Sequence, residues 1–306
     1  MKGFLQWFKR ESKMKRWILL VLIGVLLSSY GMLNLLIGKN NNEEIYIPEK
    51  GLYQNFLITG TIGSGKTSSA MYPFTEQFFK YNSLNPNNKL GILILDVKGN
   101  YFSKVYEYCS HAKRLNDLIT IDLSGNIKYN PLHKPNLKPS VLADRLKTIL
   151  LLFSPNNSES FWLDKVETVL TECIKLVRLY NNGYVTFEEL HNLVVFPDYY
   201  KSKVSILREK FVNNLFSSED IYNLLSALNF FEKEYFGLDS RTLSILKSEI
   251  TRITNLFISD YSVKNIFSPN QEELNFLGFS DVINSGKIVV LNMNIAEYRN
   301  LSKVIA

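Results

Sequence analysis

The residues Gly60-Thr61-Ile62-Gly63-Ser64-Gly65-Lys66-Thr67 satisfy the pattern G-x-x-x-x-G-K-[ST] at every fixed position. Each fixed residue has a chemical reason to be there. Glycines let a loop turn its N–H groups inward around phosphate oxygens, where side chains would block the approach. The Lys66 ammonium reaches the outer phosphates, the Thr67 hydroxyl supplies a ligand to Mg²⁺, and the helix that follows points its positive end at the anion. At background frequencies the four fixed positions would coincide in about one chain in a hundred of this length. The expected contact set is Gly60 to Thr67 together with Ser68, the expected ligand ATP, and the expected cofactor Mg²⁺ on Thr67.

Splitting the nucleotide takes carboxylates as well as a cradle. Asp96, at the end of the apolar run GILILD, is where an acid that helps hold Mg²⁺ would stand. The following VKGNY supplies no second acid, and the later run KIVVLNMN ends on Asn292 and Asn294. Asp96 and Lys98 are therefore auxiliary candidates, and the catalytic acids stay unassigned.

Other chemistries find little support. Cys109 and Cys173 are 64 positions apart with no ligand-like spacing, and His111, His133 and His191 each stand alone. The net charge of +6 is concentrated in the basic tail 1–16, where six basic residues face Glu11 alone. Positions 17–306 then hold 29 basic and 28 acidic residues, so whole-chain charge is weak evidence for nucleic-acid binding. Lys201, Lys203, Arg208 and Lys210 could contact phosphates, but a solvated helix face is the better explanation, and no DNA-contacting residue is named.

The elements that must position the loop are legible as apolar runs. Asn55–Gly60, Gly91–Asp96, Ile119–Ser124 and Lys287–Asn294 read as strands of a parallel sheet buried on both faces. Between them, 139–279 turns helical. In Phe161–Tyr180 the residues Trp162, Val166, Val169, Leu170, Cys173, Ile174, Val177 and Leu179 fall at helical spacing. Thr186 and Glu189 offer a capping box. The organisation that follows is a nucleotide-binding part at 51–138, a helical insertion at 139–279 and a return to the sheet at 280–306.

Ahead of these, Trp17 to Gly38 is 22 residues without a charge, about 33 Å as a helix against a hydrocarbon core of about 30 Å. It reads as a transmembrane anchor, with Lys39–Lys50 as a polar linker. The basic tail favours a cytosolic N-terminus, which would put the body outside, while an ATP-using domain belongs in the cytoplasm. A breached charge rule, a hairpin at SSYG or membrane sequence upstream would each resolve this conflict.

Taken in order, these segments resemble the type IV secretion coupling proteins, the TraG/TraD-like ATPases of conjugative DNA transfer. The likeness rests on GSGKTSSAMYPF with Pro73, on LDVKGNY with Asp96, Lys98 and Gly99, on KYNPL with Asn130, Pro131 and Leu132, on a helix led by Trp162, and on GKIVVLNMNIAEY. It departs at Val97 and at Asn100, where the family has an acid. The resemblance implies an α/β fold, a RecA-like P-loop NTPase sheet with an inserted all-helical domain behind a membrane anchor. It further implies a homo-hexamer that drives relaxase-bound single-stranded DNA into the secretion channel, with the catalytic acids on a strand beyond Ala306. A hydrolysis-deficient nucleotide binder and an FtsK-like DNA translocase are the alternatives.

Overall fold

The computed structural model describes residues 32–96, 98–153, 160–213, 215–292 and 301. The basic tail, positions 17–31 of the expected anchor and the Asn294 end of the last apolar run lie outside them. The protein is mixed α/β, with a three-stranded parallel sheet and many helices. The described residues fall into two compact units, those within 32–90 and 107–114, and those within 91–106 and 115–301.

In the first unit, β1 (Asn34–Asn40) and β2 (Glu43–Pro48) form an antiparallel hairpin in which Asn40 pairs with Glu43. The two residues between them, Asn41 and Asn42, have φ of 46° and 72°, the left-handed geometry of a tight hairpin turn that asparagine tolerates. Two expectations are corrected here. Asn34–Gly38, the end of the expected anchor helix, is strand, and Lys39–Lys50 holds the turn, β2 and the start of α1 (Glu49–Leu52) rather than a linker. No helix among the described residues is long and apolar enough to cross a membrane.

Asn55–Gly60 is also not a strand. It is irregular, and Leu57 is 87% exposed. A strand buried on both faces needs a backbone partner on either side, and no described strand pairs with this segment. Beyond it, a π-helical segment at Lys66–Met71 runs into α2 (Tyr72–Lys80). The unit's core is small: Phe79 meets Tyr108 edge-on at 6.0 Å, and buried Arg114 donates to the Leu90 carbonyl at 2.7 Å.

In the second unit, β3 (Ile92–Asp96), β4 (Leu118–Ile121) and β5 (Ile288–Asn292) are parallel in the order β3-β5-β4. The strand made last in the sequence is central. Its Ile288, Val289, Val290 and Leu291 are all buried, as an inner strand of a covered sheet requires. β3 departs from that expectation, because Leu93 and Leu95 are exposed. Gly91 opens β3 where a Cβ would lie 2.2 Å from the Ile283 carbonyl oxygen, so no larger residue fits against α11 (Phe279–Asn284).

The helices after β3 are α3 (Phe102–His111), α4 (Pro139–Leu151), α5 (Ser160–Tyr180), α6 (Phe187–Val195), α7 (Pro197–Val212), α8 (Ser218–Asn229), α9 (Ser240–Ile258) and α10 (Tyr261–Phe267). Helix α5 is the hub. Val166, Val169, Leu170, Cys173, Ile174 and Val177 are buried as the spacing predicts, and so are Leu163 within the same face and Leu176 at its edge. Each such side chain contributes about 1.5–3 kcal/mol on burial. Trp162 is half-buried against the same core.

Asn130 of the KYNPL segment is buried. Its amide donates to the Val185 carbonyl at 2.8 Å, and its oxygen accepts the Leu132 N–H at 2.9 Å. It therefore ties the segment after β4 to the start of α6. The expected capping box at α6 is half made. Thr186 accepts the Glu189 N–H at 3.2 Å, but the Glu189 carboxylate turns away to Tyr180 and Tyr199.

Burial holds the half-buried His133 and His191 below the ordinary imidazole value, at His133 with help from Lys134 and Arg178 and at His191 against the pull of Glu188. A folded state that takes up protons less readily than the unfolded chain keeps its full stability above about pH 6.5 and loses it as the pH falls below. The urea midpoint is therefore expected to fall from pH 7 to pH 5, and more shallowly in His133→Asn. A midpoint that does not change over that range contradicts the assignment.

Candidate phosphate-binding site

The loop between Gly60 and Thr67 is built from local geometry. A turn closes it, with the Ser64 N–H on the Thr61 carbonyl at 3.2 Å. Gly63 and Gly65 have φ of 81° and 82°, where an L side chain is strained by about 1–2 kcal/mol. A Cβ on Gly65 would also meet Ser69 Oγ at 2.9 Å, a contact that rotation of the Ser69 side chain relieves, so the backbone conformation is what selects glycine. A Cβ on Gly60 would meet Ser64 Oγ at 2.6 Å. At Gly63 the space is open, and only the backbone conformation selects glycine.

Helical bonding begins at once, with the Ser69 N–H on the Gly65 carbonyl at 2.7 Å. It then widens, and the Tyr72 N–H bonds to the Thr67 carbonyl, five residues back. Pro73 gives the physical reason. It has no N–H to offer and its ring crowds the carbonyl four residues before it, so the turn ahead of it opens into a π-helix. Tyr72 and Pro73 then start α2.

Lys66 folds back on its own loop. Its Nζ donates to the Gly60 carbonyl at 2.6 Å and the Thr61 carbonyl at 2.8 Å, which leaves the ammonium at the loop's mouth. Thr67 and Ser68 are exposed on the first turn, Ser68 Oγ donating to the Gly65 carbonyl at 3.3 Å. Ile62 stands fully exposed at the tip. Chemically, this is a glycine-shaped turn at a helix N-terminus with one cation and two hydroxyls, a donor set that suits a polyphosphate and its Mg²⁺.

Asp96 has other work, in the second unit. It is buried, and its Oδ1 accepts the Gly99 N–H at 2.9 Å while Oδ2 accepts those of Tyr101 at 2.8 Å and Phe102 at 3.1 Å. One carboxylate thus folds the turn after β3, with Gly99 at φ 69°, and caps the N-terminus of α3. This makes Asp96 a positioning residue. Lys98 is exposed on that turn.

No protein-family model and no curated protein matches this chain. What the site does must come from its own geometry.

The four basic residues that were phosphate candidates from the sequence are largely committed elsewhere. Lys201 pairs with Asp198 at 3.2 Å, and Lys203 lies over the rings of Tyr199 and Tyr180 at 4.7 and 4.8 Å. Lys210 donates to the Leu179 and Tyr180 carbonyls at 3.0 and 3.3 Å, closing the C-terminal end of α5, and Arg208 is exposed. Sequence reading missed the cluster beneath Lys203. Glu189 accepts hydroxyls from both Tyr180 and Tyr199 at 2.5 and 2.7 Å, and burial pushes both phenols well above the usual range. Two tyrosines and a lysine around one glutamate were not recognisable from spacing, because they come from three helices.

A cleft of about 580 Å³ beside α5 is edged by Lys175, Arg178 and Lys210 and faced by Glu219 and Asp220. Lys175 pairs with Glu172 at 2.7 Å, and Arg178 donates to the Leu137 and Lys134 carbonyls at 2.8 and 2.9 Å. Those cations hold the fold together, and the acids opposite would repel an anion. No group of three or more metal-binding side chains gathers among the described residues.

Asp96→Asn replaces one acceptor oxygen with a donor facing backbone N–H groups. It is expected to lower stability by about 1–2 kcal/mol, read from the urea midpoint. An unchanged midpoint would contradict the capping role.

Proposed function

We propose that this chain is the nucleotide-binding part of a membrane-anchored DNA-transfer motor of the type IV secretion coupling class. It binds ATP with Mg²⁺ through Gly60 to Ser68, with Lys66 on the outer phosphates and Thr67 on the metal. The observation that carries this reading is the loop itself: two left-handed glycines deliver Lys66 and Thr67 to the first turn of a helical run from Lys66 to Lys80.

The coupling class is supported by the order of the remaining segments and by the path of the chain. After β4 the chain leaves the sheet, builds α4 to α11, and returns as β5 between β3 and β4. A RecA-like sheet with a helical insertion has that path. On this reading the protein assembles as a hexameric ring at the cell membrane, with the nucleotide domain in the cytoplasm, and passes relaxase-bound single-stranded DNA to the channel.

Asp96 favours a second reading of the 306-residue chain, as a binder without turnover. Its carboxylate already accepts three backbone N–H groups, which leaves it poorly placed to serve Mg²⁺ or water.

Titration with a fluorescent ATP analogue in the presence of Mg²⁺ tests binding. Lys66→Ala is expected to weaken it at least about tenfold by removing a charge-assisted contact. The urea midpoint should hardly move, since the two bonds that the Lys66 ammonium makes to carbonyls of its own loop are local and open to water. Equal affinity in the variant would end the proposal. Brisk Mg²⁺-dependent turnover by the wild-type chain would remove the second reading.

A further inference from the structure

We infer that the second unit holds a site for a small aromatic anion, a single ring bearing a carboxylate or a similar group, in a pocket beside α4. The inference goes beyond the nucleotide reading and uses none of the residues of the candidate phosphate loop.

The pocket has a volume of about 210 Å³. An apolar cavity of about 150 Å³ is enough for benzene, so there is room for one ring and a short substituent. One side is aromatic, with Tyr129, Phe187, Phe257, Phe267 and Phe279, and the other is aliphatic, with Leu142, Leu146 and Ile149 of α4. Tyr129 meets Phe267 edge-on at 6.5 Å and Phe279 at 5.4 Å, while Phe187 and Phe257 stack at 3.9 Å. A flat guest therefore finds both ring faces and ring edges. Pro131 and Leu132 also line the pocket, which gives the KYNPL segment a use beyond the Asn130 tether.

Burial marks the way in. Most of the walls are buried, whereas Pro131, Ile149 and Phe279 are half-buried and Arg145 is exposed, so these four form the mouth.

Charge at that mouth selects the guest. Among the described residues, the Arg145 guanidinium has no hydrogen bond and no ion pair. Lys134 is its half-buried neighbour, with Nζ 5.6 Å from the centre of the Tyr129 ring and no carboxylate paired to it. Burial and the Arg145 charge hold this ammonium below the ordinary lysine range. Two like charges with no acid to pair them repel, and the face of Tyr129 offsets that only in part. An anionic group at the mouth relieves the repulsion while its ring is taken up behind. A neutral guest leaves the two cations uncompensated, and a cationic one adds to the repulsion. The cations of the cleft beside α5 differ, because Glu172 and backbone carbonyls already hold them.

The test is fluorine NMR of 4-fluorophenylacetate added to the full chain, with the neutral 4-fluorophenylacetamide for comparison. The acid is expected to bind with Kd between about 10 µM and 1 mM, at least about tenfold tighter than the amide. Arg145→Gln, at an exposed position, should weaken the acid about tenfold and leave the amide unchanged, a split that a general loosening of the fold does not give. Ile149→Trp fills the mouth and should abolish binding of both. Lys66→Ala should change neither. Equal affinity for acid and amide, or no binding of the acid at about 10 mM, overturns the inference. An Arg145→Gln variant that weakens both probes alike does the same. So does acid binding that survives Ile149→Trp or is lost in Lys66→Ala, because the anion then sits elsewhere.

Discussion

Much of the second unit depends on β5 standing between β3 and β4. A central strand of a parallel sheet exchanges backbone hydrogen bonds on both sides, and β5 does so from Ile288 to Leu291. The 166 residues between Ile121 and Ile288 must therefore carry the chain from the C-terminal end of β4 back to the N-terminal end of the adjacent β5, beside Leu118. Closing a flexible loop of that length costs about 4.5 kcal/mol in the length-dependent part alone. Compact helices remove most of the difficulty, since a prefolded insertion with neighbouring ends behaves as a short connection.

The insertion brings those ends together through α5. This helix is buried on nearly every face of its second half, so α4, α6, α8 and α9 pack around it. Polar side chains then fix angles that apolar packing leaves loose. Glu172 and Lys175 on α5 reach Ser226 on α8, Glu189 on α6 gathers tyrosines from α5 and α7, and Asn130 fastens the segment after β4 to the entry of α6. Each buried polar group would be destabilising alone, and each is satisfied by a partner from another element.

The candidate phosphate loop obeys a more local constraint. Its shape follows from glycines at positive φ and from a proline six residues after Thr67, which opens the first turns of the helix. Those features need no distant contact, whereas the strand expected ahead of them at Asn55–Gly60 does not form. Asp96 shows the opposite case. An aspartate at a strand end invites a metal, yet the turn it precedes offers three N–H groups within reach, and the carboxylate takes them. The sequence VKGNY carried a sign of this: a glycine three residues on, able to adopt φ 69°, lets the backbone curl over the acid.

What the sequence determined by itself is whatever short-range chemistry controls. The loop from Gly60 to Thr67, the strands at β3, β4 and β5, and the buried face of α5 were all legible, because φ preference, apolar runs and a 3.6-residue period act within a few residues. The Asn41–Asn42 turn was not, because a polar tract reads as a linker until the two strands that flank it are seen to pair. Tertiary structure decided the rest. Whether Asn55–Gly60 pairs, whether Leu93 and Leu95 are covered, and whether Glu189 caps its helix or binds two tyrosines depend on which groups arrive from elsewhere in the chain. A residue's type sets what it can bond to, and only the fold sets which partner is within reach.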